Sequence, residues 1–171
     1  MNKNFLLILP LIAISFSAFG QLNAGKKADK DTKEWRYEIE AVSEGKDGTY
    51  LVKVWSYSKK PKVAIEQAKK NAVHGVIFQG VIGSGRVSGQ PPIASTSGIE
   101  MQFSDFFKDF FKDGGDYNKY ISISNDGSVS PGDRQKIDKE YKVGVLVSVR
   151  KDLLKKALED AGVIKGLSSG F

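Results

Sequence analysis

Apolar and polar residues alternate strictly along one segment of the chain, and a second segment with apolar residues on both faces follows it. In the first segment, Trp35, Tyr37, Ile39 and Ala41 are separated by charged residues. The second segment covers residues 50–58 and is rich in β-branched and aromatic side chains. A period of two places successive side chains on opposite faces of a strand, and the glycine-containing run between the segments has the composition of a tight turn. The two segments therefore predict a β-hairpin.

Another pair of strands is predicted in the last third of the chain. Residues 141–149 carry a tyrosine and then valines at every second position, which is the clearest strand pattern in the sequence. A short strand is predicted at 119–124, and turn-forming residues separate the two segments. They predict a second hairpin, which is followed by a helix over 152–161 that ends at Gly162.

Residues 62–78 repeat apolar side chains at spacings of three and four, which predicts an amphipathic helix. Pro61 fits its first turn, where the missing N–H has no partner to lose. The apolar stripe, which we expect to pack on the sheet, consists of Ala64, Ile65, Ala68, Ala72 and Val76. The opposite face, which we expect to contact solvent, consists of Lys69, Lys70, Asn71 and His74.

The most unusual pattern is a dense aromatic stripe on a helix predicted over 104–113. Five phenylalanines at helical spacings form it: Phe103, Phe106, Phe107, Phe110 and Phe111. Two interpretations fit this stripe. The rings either pack into the core against the sheet, where they bury a large area, or form an exposed face that docks a partner or a lipid-like ligand.

The element order β-β-α-loop-α-β-β-α predicts an α+β fold. We expect an antiparallel sheet of about four strands, built from the two hairpins, with two to three helices packed on it. A single domain over 34–171 would hold these elements. Within it, residues 80–100 are rich in glycine and proline and lack periodicity, which predicts a mobile loop. Residues 21–33 are polar and charged, and they predict a flexible leader.

The start of the chain has the three-part pattern of a secretory signal peptide over residues 1–20. Lys3 supplies positive charge, residues 5–16 are almost entirely apolar, and Ala18 and Gly20 are small residues at the positions that signal peptidase reads. We expect cleavage before Gln21 and a periplasmic or secreted mature protein. The apolar run is shorter than the about 20 residues that a spanning helix needs. No second stretch of the sequence is apolar enough to span a membrane, so no transmembrane segment is expected after cleavage.

Composition narrows the classes of function. The 171-residue chain has a net charge of +6 and no cysteine. The lack of cysteine excludes disulfides and a lipid-carrying cysteine at the cleavage site. Lysines alternate with acidic residues instead of clustering among aromatics, which argues against a nucleic-acid-binding protein.

Candidate catalytic groups are sparse. His74 is the one histidine, and neither a zinc site nor a Ser–His–Asp triad is indicated by the residues around it. The glycine-rich run 80–89 lacks the spacing of a phosphate-binding loop, although Arg86 within it is a candidate for contacting an anion. The acidic run 113–118 does not match a calcium-binding EF-hand loop. We therefore expect no catalytic residue, no metal and no cofactor.

Two runs carry a resemblance to a known family, VAIEQAKKNAVHGVI and YKVGVLVSVRKDLLKKALEDAG. Their pattern of an alanine-striped helix and a late strand followed by a helix resembles the amino-terminal domain of the flagellar assembly T protein and related small envelope lipoprotein domains. The chain also resembles secreted proteins of Gram-negative bacteria. The resemblance implies a role in envelope assembly or binding without catalysis. It supplies no site residue, and the lipid-carrying cysteine of the lipoproteins is missing here.

The leading hypothesis is an exported, non-catalytic binding or envelope-assembly module whose partner is an envelope or periplasmic protein. Its contact region would combine the loop 80–100 with the helix 104–113. The candidate binding residues are Arg86, Phe106, Phe107, Phe110 and Phe111.

Two alternatives stay open. One is a small hydrolase or carbohydrate-active enzyme that uses carboxylates such as Glu38, Glu40 and Glu100, which requires these acids to converge in a pocket. The other is a carrier of an apolar molecule bound under the phenylalanine helix, which requires open space there.

Overall fold

A computed structural model of the chain describes residues 24, 26–28, 34–45, 48–124 and 128–166. The predicted signal peptide and its cleavage point lie outside the described residues, as does most of the predicted leader. The leader residues that are described have helical backbone. Two of them, Ala24 and Ala28, are buried together with Val63.

Within the described ranges the sheet has five strands: β1 (Tyr37–Glu44), β2 (Thr49–Ser58), β3 (Ile121–Ile123), β4 (Arg134–Ile137) and β5 (Glu140–Arg150). Every pairing is antiparallel, and the order is β1-β2-β5-β3, with β4 also paired to β5. The predicted α+β class is confirmed. The sequence analysis missed β4, because all four of its residues are exposed and carry no alternation.

The described helices are α1 (Pro61–His74), α2 (Ile99–Gln102), α3 (Ser104–Phe111) and α4 (Lys151–Asp160). The backbone of α1 continues into a π-helical turn, Gly75–Gln79, and short 3₁₀ turns cover Asp116–Tyr120 and Pro131–Asp133. Among the described residues, no helix combines the length and apolar character needed to cross a membrane.

The core lies between α1 and the central strands β2 and β5. Side chains on one face of these strands are buried, including Val52, Val54, Val145 and Val147. The predicted stripe of α1 packs onto them, because its alanines have no exposed surface and allow the helix axis to approach the sheet closely.

The predicted solvent face of α1 was wrong for three residues: Lys70, Asn71 and His74 are buried, with at most 4% of each exposed. Asn71 faces the sheet, where its Nδ2 donates to Ser56 Oγ at 2.8 Å. Lys70 and His74 lie under a further layer, which includes Tyr117 and Phe111. The helix is therefore covered on more than one side, which a single apolar stripe does not reveal.

Gly75 allows the end of α1 to approach β1. A Cβ atom at this position would lie 2.8 Å from Ile39 Cδ1 and 3.3 Å from Tyr37 Cε2. Both distances are shorter than an ordinary van der Waals contact, so a side chain at this position would force the packed side chains of Ile39 and Tyr37 to move. This close approach places His74 against the start of β1.

The predicted loop at 80–100 is irregular up to α2, and hydrogen bonds hold it to the fold. Ala41 N donates to Ile82 O at 2.9 Å near its start. Near its end, Ile93 N donates to Val76 O at 3.1 Å and Ala94 N to Ile77 O at 2.8 Å. The last carbonyls of a helix lack intrahelical partners, so these bonds satisfy the π-helical turn and fix the path of the returning chain.

Candidate functional site

A cavity of about 840 Å³ opens between α3 and the segment that leads into α2. Its volume lies within the range of about 300–1,000 Å³ that is typical of small-molecule sites. Large apolar side chains make up much of its wall: Trp35, Phe78, Ile99, Met101, Phe107 and Phe111. Polar groups are fewer and include Glu100, Lys108, Lys112 and a run of serine and threonine at 95–97. The cavity therefore has the composition of a ligand site.

Trp35 forms one wall of the cavity and covers His74. Its backbone has a φ of 44°, a left-handed conformation that is uncommon for a residue with a side chain. The indole stacks on the His74 imidazole with ring centroids 3.7 Å apart. It also meets the Phe111 ring edge to face at 5.0 Å. The segment just before β1 is thereby in contact with the end of α1 and with α3, which flanks the cavity.

His74 connects two polar groups through its ring nitrogens. The Tyr37 hydroxyl lies 2.7 Å from Nδ1, and Glu100 Oε1 lies 3.3 Å from Nε2. A neutral imidazole offers one donor and one acceptor. Because the Glu100 carboxylate accepts a hydrogen bond, Nε2 carries the proton and Nδ1 accepts from the tyrosine. The three residues form a directed chain of hydrogen bonds that ends at the cavity wall.

Burial keeps the side chains of His74 and Tyr37 each in one protonation state at neutral pH. It lowers the pKa of the His74 imidazole below the ordinary 6.5, and the hydrogen bond to Glu100 opposes that shift. Burial also raises the pKa of the Tyr37 hydroxyl far above its usual range, and the negative charge of Glu100 adds to this effect. At neutral pH the histidine is uncharged and the tyrosine is protonated, so neither is an activated nucleophile or a cation.

The phenylalanine stripe belongs largely to the core. Phe107, Phe110 and Phe111 are buried, and Phe106 is partly buried. Phe107 and Phe111 also line the cavity, whereas Phe110 stacks on Tyr120 with centroids 6.0 Å apart. Of the two interpretations of the stripe, burial of these rings favours packing into the core over an exposed docking face. Two of the rings on α3 face open space, as the hypothesis of an apolar ligand requires.

Arg86 lies apart from this cavity. It is exposed in the turn between Ser84 and Val87, which bond to each other through their backbones, and it is not among the cavity-lining residues. The residues that the sequence analysis missed are Trp35, Glu100 as a partner of His74, and Met101, which is 82% exposed at the cavity. Their only signal was residue type, since no spacing connects them.

The carboxylates considered for hydrolysis are divided between two places. Glu38 and Glu40 line a cleft of about 410 Å³ beside Trp55, whereas Glu100 lines the larger cavity. Glu38 accepts hydrogen bonds from Lys142 at 2.8 Å, and this contact is the main reason that the pKa of Glu38 is lowered. A general acid in glycoside hydrolysis needs a raised pKa. The three acids therefore do not form the constellation that this alternative requires.

Within the described ranges, no group of three or more histidine, aspartate or glutamate side chains is placed to hold a metal ion. Comparison of the chain with protein-family models gives no match, and comparison with curated proteins and with solved structures gives no significant one. The resemblance to flagellar assembly T protein and envelope lipoprotein domains stays a prediction.

Proposed function

We propose that this chain is an exported, non-catalytic binding protein that holds a small apolar molecule in the cavity between Trp35 and α3. The observation that carries the proposal is the cavity itself. It is large, its apolar lining includes the aromatic rings of Trp35, Phe78, Phe107 and Phe111, and it stands open beside a helix that already contributes a dense aromatic core. Transfer of apolar surface from water into such a site is favourable at about 25 cal/mol per Å².

The shape of the apolar surface favours a small molecule over a partner protein. Protein docking sites are marked by contiguous exposed apolar patches, whereas the rings of Phe107 and Phe111 are buried and line the cavity. A concave site can enclose most of the surface of a small ligand. The predicted contact region is retained in this proposal, because the end of the loop and α3 supply most of the lining.

The non-catalytic part of the proposal is supported by the state of the polar groups. His74 is buried and neutral, with both ring nitrogens in hydrogen bonds. It stacks under Trp35 at 3.7 Å between centroids. A general base must reach the proton that it abstracts, and His74 does not line the cavity. Its geometry is suited to holding the wall in place.

Binding of Nile red, a neutral apolar dye, tests the proposal directly. Ser104 is an exposed cavity-lining residue at the start of α3, so Ser104→Trp should fill part of the space and weaken dye binding about tenfold or more. The control is Asp105→Trp, which places the same ring one residue further along α3, outside the lining. Equal affinity in the two variants, or no dye binding by the parent chain, would contradict the proposal.

Export is tested separately. Expression of the full chain in a Gram-negative host should yield a soluble periplasmic or secreted product whose mass corresponds to a start at Gln21. Replacing the small residue before the cut, Gly20→Leu, should leave the uncleaved precursor in the membrane fraction, because signal peptidase reads small residues there. Recovery of the intact chain in the cytoplasm would refute export while leaving the binding measurement unaffected.

A further inference from the structure

The charged residues at the cavity indicate which apolar molecules fit best. Three charged side chains belong to the lining: Glu100, Lys108 and Lys112. The Glu100 carboxylate is already bonded to His74. Lys112 pairs with Asp109 at 3.2 Å, where both side chains are well exposed. Lys108 makes no ion pair with any residue in the part of the chain that the structure describes.

The two lysines are placed to meet a ligand that lies on the phenylalanines. Lys108 follows Phe107 and Lys112 follows Phe111, so each lysine is next in sequence to a ring that lines the cavity. Residues four apart are neighbours on a helix surface. Lysine stems cover apolar surface while their ammonium groups stay in water. The rim beside α3 therefore presents two neighbouring ammonium groups above an apolar interior, and that of Lys112 is shared with Asp109.

The wall of the cavity formed by α2 carries a negative charge. Glu100 brings a carboxylate there, and among the described residues it forms an ion pair with no lysine or arginine, only a contact with His74. A second anion on this wall would be repelled, whereas the same anion near Lys108 and Lys112 would be attracted. The distribution of charge therefore indicates both the chemical class of the ligand and the side of the cavity on which its charged group lies.

We propose that the occupant is an amphipathic acid, with its apolar body against Phe107, Phe111 and Trp35 and its anionic group beside Lys108 and Lys112. The shared chemistry is a single carboxylate or phosphate on an apolar chain or ring system. This inference rests on the proposed function, since it assumes that the cavity binds an apolar body.

Displacement of Nile red by four probes of equal chain length tests the headgroup: laurate, lauryl phosphate, dodecanol and dodecylamine, each below its micellar concentration. At low salt, the two anions should displace the dye at concentrations about tenfold lower than dodecanol, and dodecylamine should be the weakest. The ranking of laurate against lauryl phosphate distinguishes a fatty acid from a phosphorylated lipid as the source. Added salt should reduce the preference for anions.

The lysines are tested with a charge-matched pair of variants. Lys108→Gln/Lys112→Gln should remove the preference for laurate over dodecanol while dodecanol affinity stays within about twofold of the parent. Lys136→Gln/Lys139→Gln removes the same charge from exposed residues at β4, away from the lining, and should keep the preference.

The outcomes separate the two proposals. If no probe displaces the dye and the dye itself does not bind in the cavity, the proposed function fails. If all four probes compete equally, or if the cavity variant loses laurate and dodecanol affinity alike, the cavity binds apolar molecules but the inference about the acid group is wrong. A change in melting temperature with unchanged preference would also overturn it, because the lysines would then act only on the helix end.

Discussion

The indole of Trp35 lies nearly parallel to the imidazole of His74, with an angle of 18° between the ring planes and 3.7 Å between their centroids. This contact removes one face of the only histidine from water. It also joins a residue two positions before β1 to the last residue of α1. The environment of His74 is therefore a direct measure of whether the wall of the cavity is in place.

Removal of the indole should change the titration of His74. In the intact chain, burial holds the pKa of His74 below 6.5. Trp35→Ala admits water to the ring, so this pKa should rise toward 6.5. NMR titration of the histidine Cε1–H resonance gives the value without assignment, because the sequence contains one histidine. Trp55→Ala is the matched control, and an equal effect of both substitutions would contradict the proposed wall.

Stability should fall in mild acid because of the same residue. The folded chain holds His74 neutral, and the unfolded chain binds a proton near the ordinary pKa of 6.5. Between the folded and unfolded pKa values the unfolded state binds more protons, so the free energy of unfolding decreases as the pH falls through 6.5 and levels off below the folded pKa. Urea titrations at about pH 7.5 and at about pH 5 measure the loss.

His74→Gln isolates that contribution. Glutamine keeps a donor and an acceptor but does not titrate. The difference in unfolding free energy between the parent chain and this variant should shrink as the pH falls through the same window. An identical dependence on pH in the two proteins would show that other groups cause the acid loss.

Lys70 should give a slope of the same sign at higher pH. Burial lowers the pKa of its ammonium group to about 8, from an ordinary 10.5, and the charge of Asp113 opposes the shift. Between about pH 8 and about pH 10 the unfolded chain binds more protons, so the free energy of unfolding should rise with pH. Lys70→Met should remove that rise, whereas Lys136→Met, at an exposed position, should keep it. Above this range the raised pKa of Tyr117 acts in the opposite direction.

The approach of α1 to β1 should not tolerate a side chain at Gly75. Since a Cβ atom there would lie 2.8 Å from Ile39 Cδ1, Gly75→Val should destabilise the fold by about 1–3 kcal/mol through overpacking. A Cβ atom at Gly132 would have no other described atom within 4 Å, and Gly132→Val should change the free energy of unfolding by less than about 0.5 kcal/mol. Denaturant midpoints of the two variants give the comparison, and similar values would rule out the close approach as the cause.

The spacing of apolar residues predicted the elements that pack against the rest of the fold on one face. The valines of β5 and the alanines of α1 alternate or repeat because one face of each element meets the sheet–helix core, and that face can be read from the sequence. His74 did not follow this rule. Its cover comes from Trp35 and Phe111, which are distant in sequence and belong to different elements.

Of the elements that line the cavity, the sequence predicted only α3 with its aromatic face. The phenylalanine spacing identified a helix with an unusual aromatic face, and both interpretations of that face depend on what packs beside it. The left-handed backbone at Trp35 and the path of residues 92–98 decide which rings are covered and which border open space. Neither feature has a repeating pattern, so the site as a whole emerges only from the three-dimensional arrangement.

The hydrogen bonds from Ile93 and Ala94 to the carbonyls of Val76 and Ile77 have a consequence for affinity. They attach one side of the opening to the π-helical turn that continues α1, so its backbone is already ordered when the protein is empty. A ligand that binds then loses its own translational and rotational freedom, but it causes little additional loss of conformational entropy in the protein backbone on that side of the cavity. Preorganisation of this kind lets a modest number of contacts produce measurable affinity.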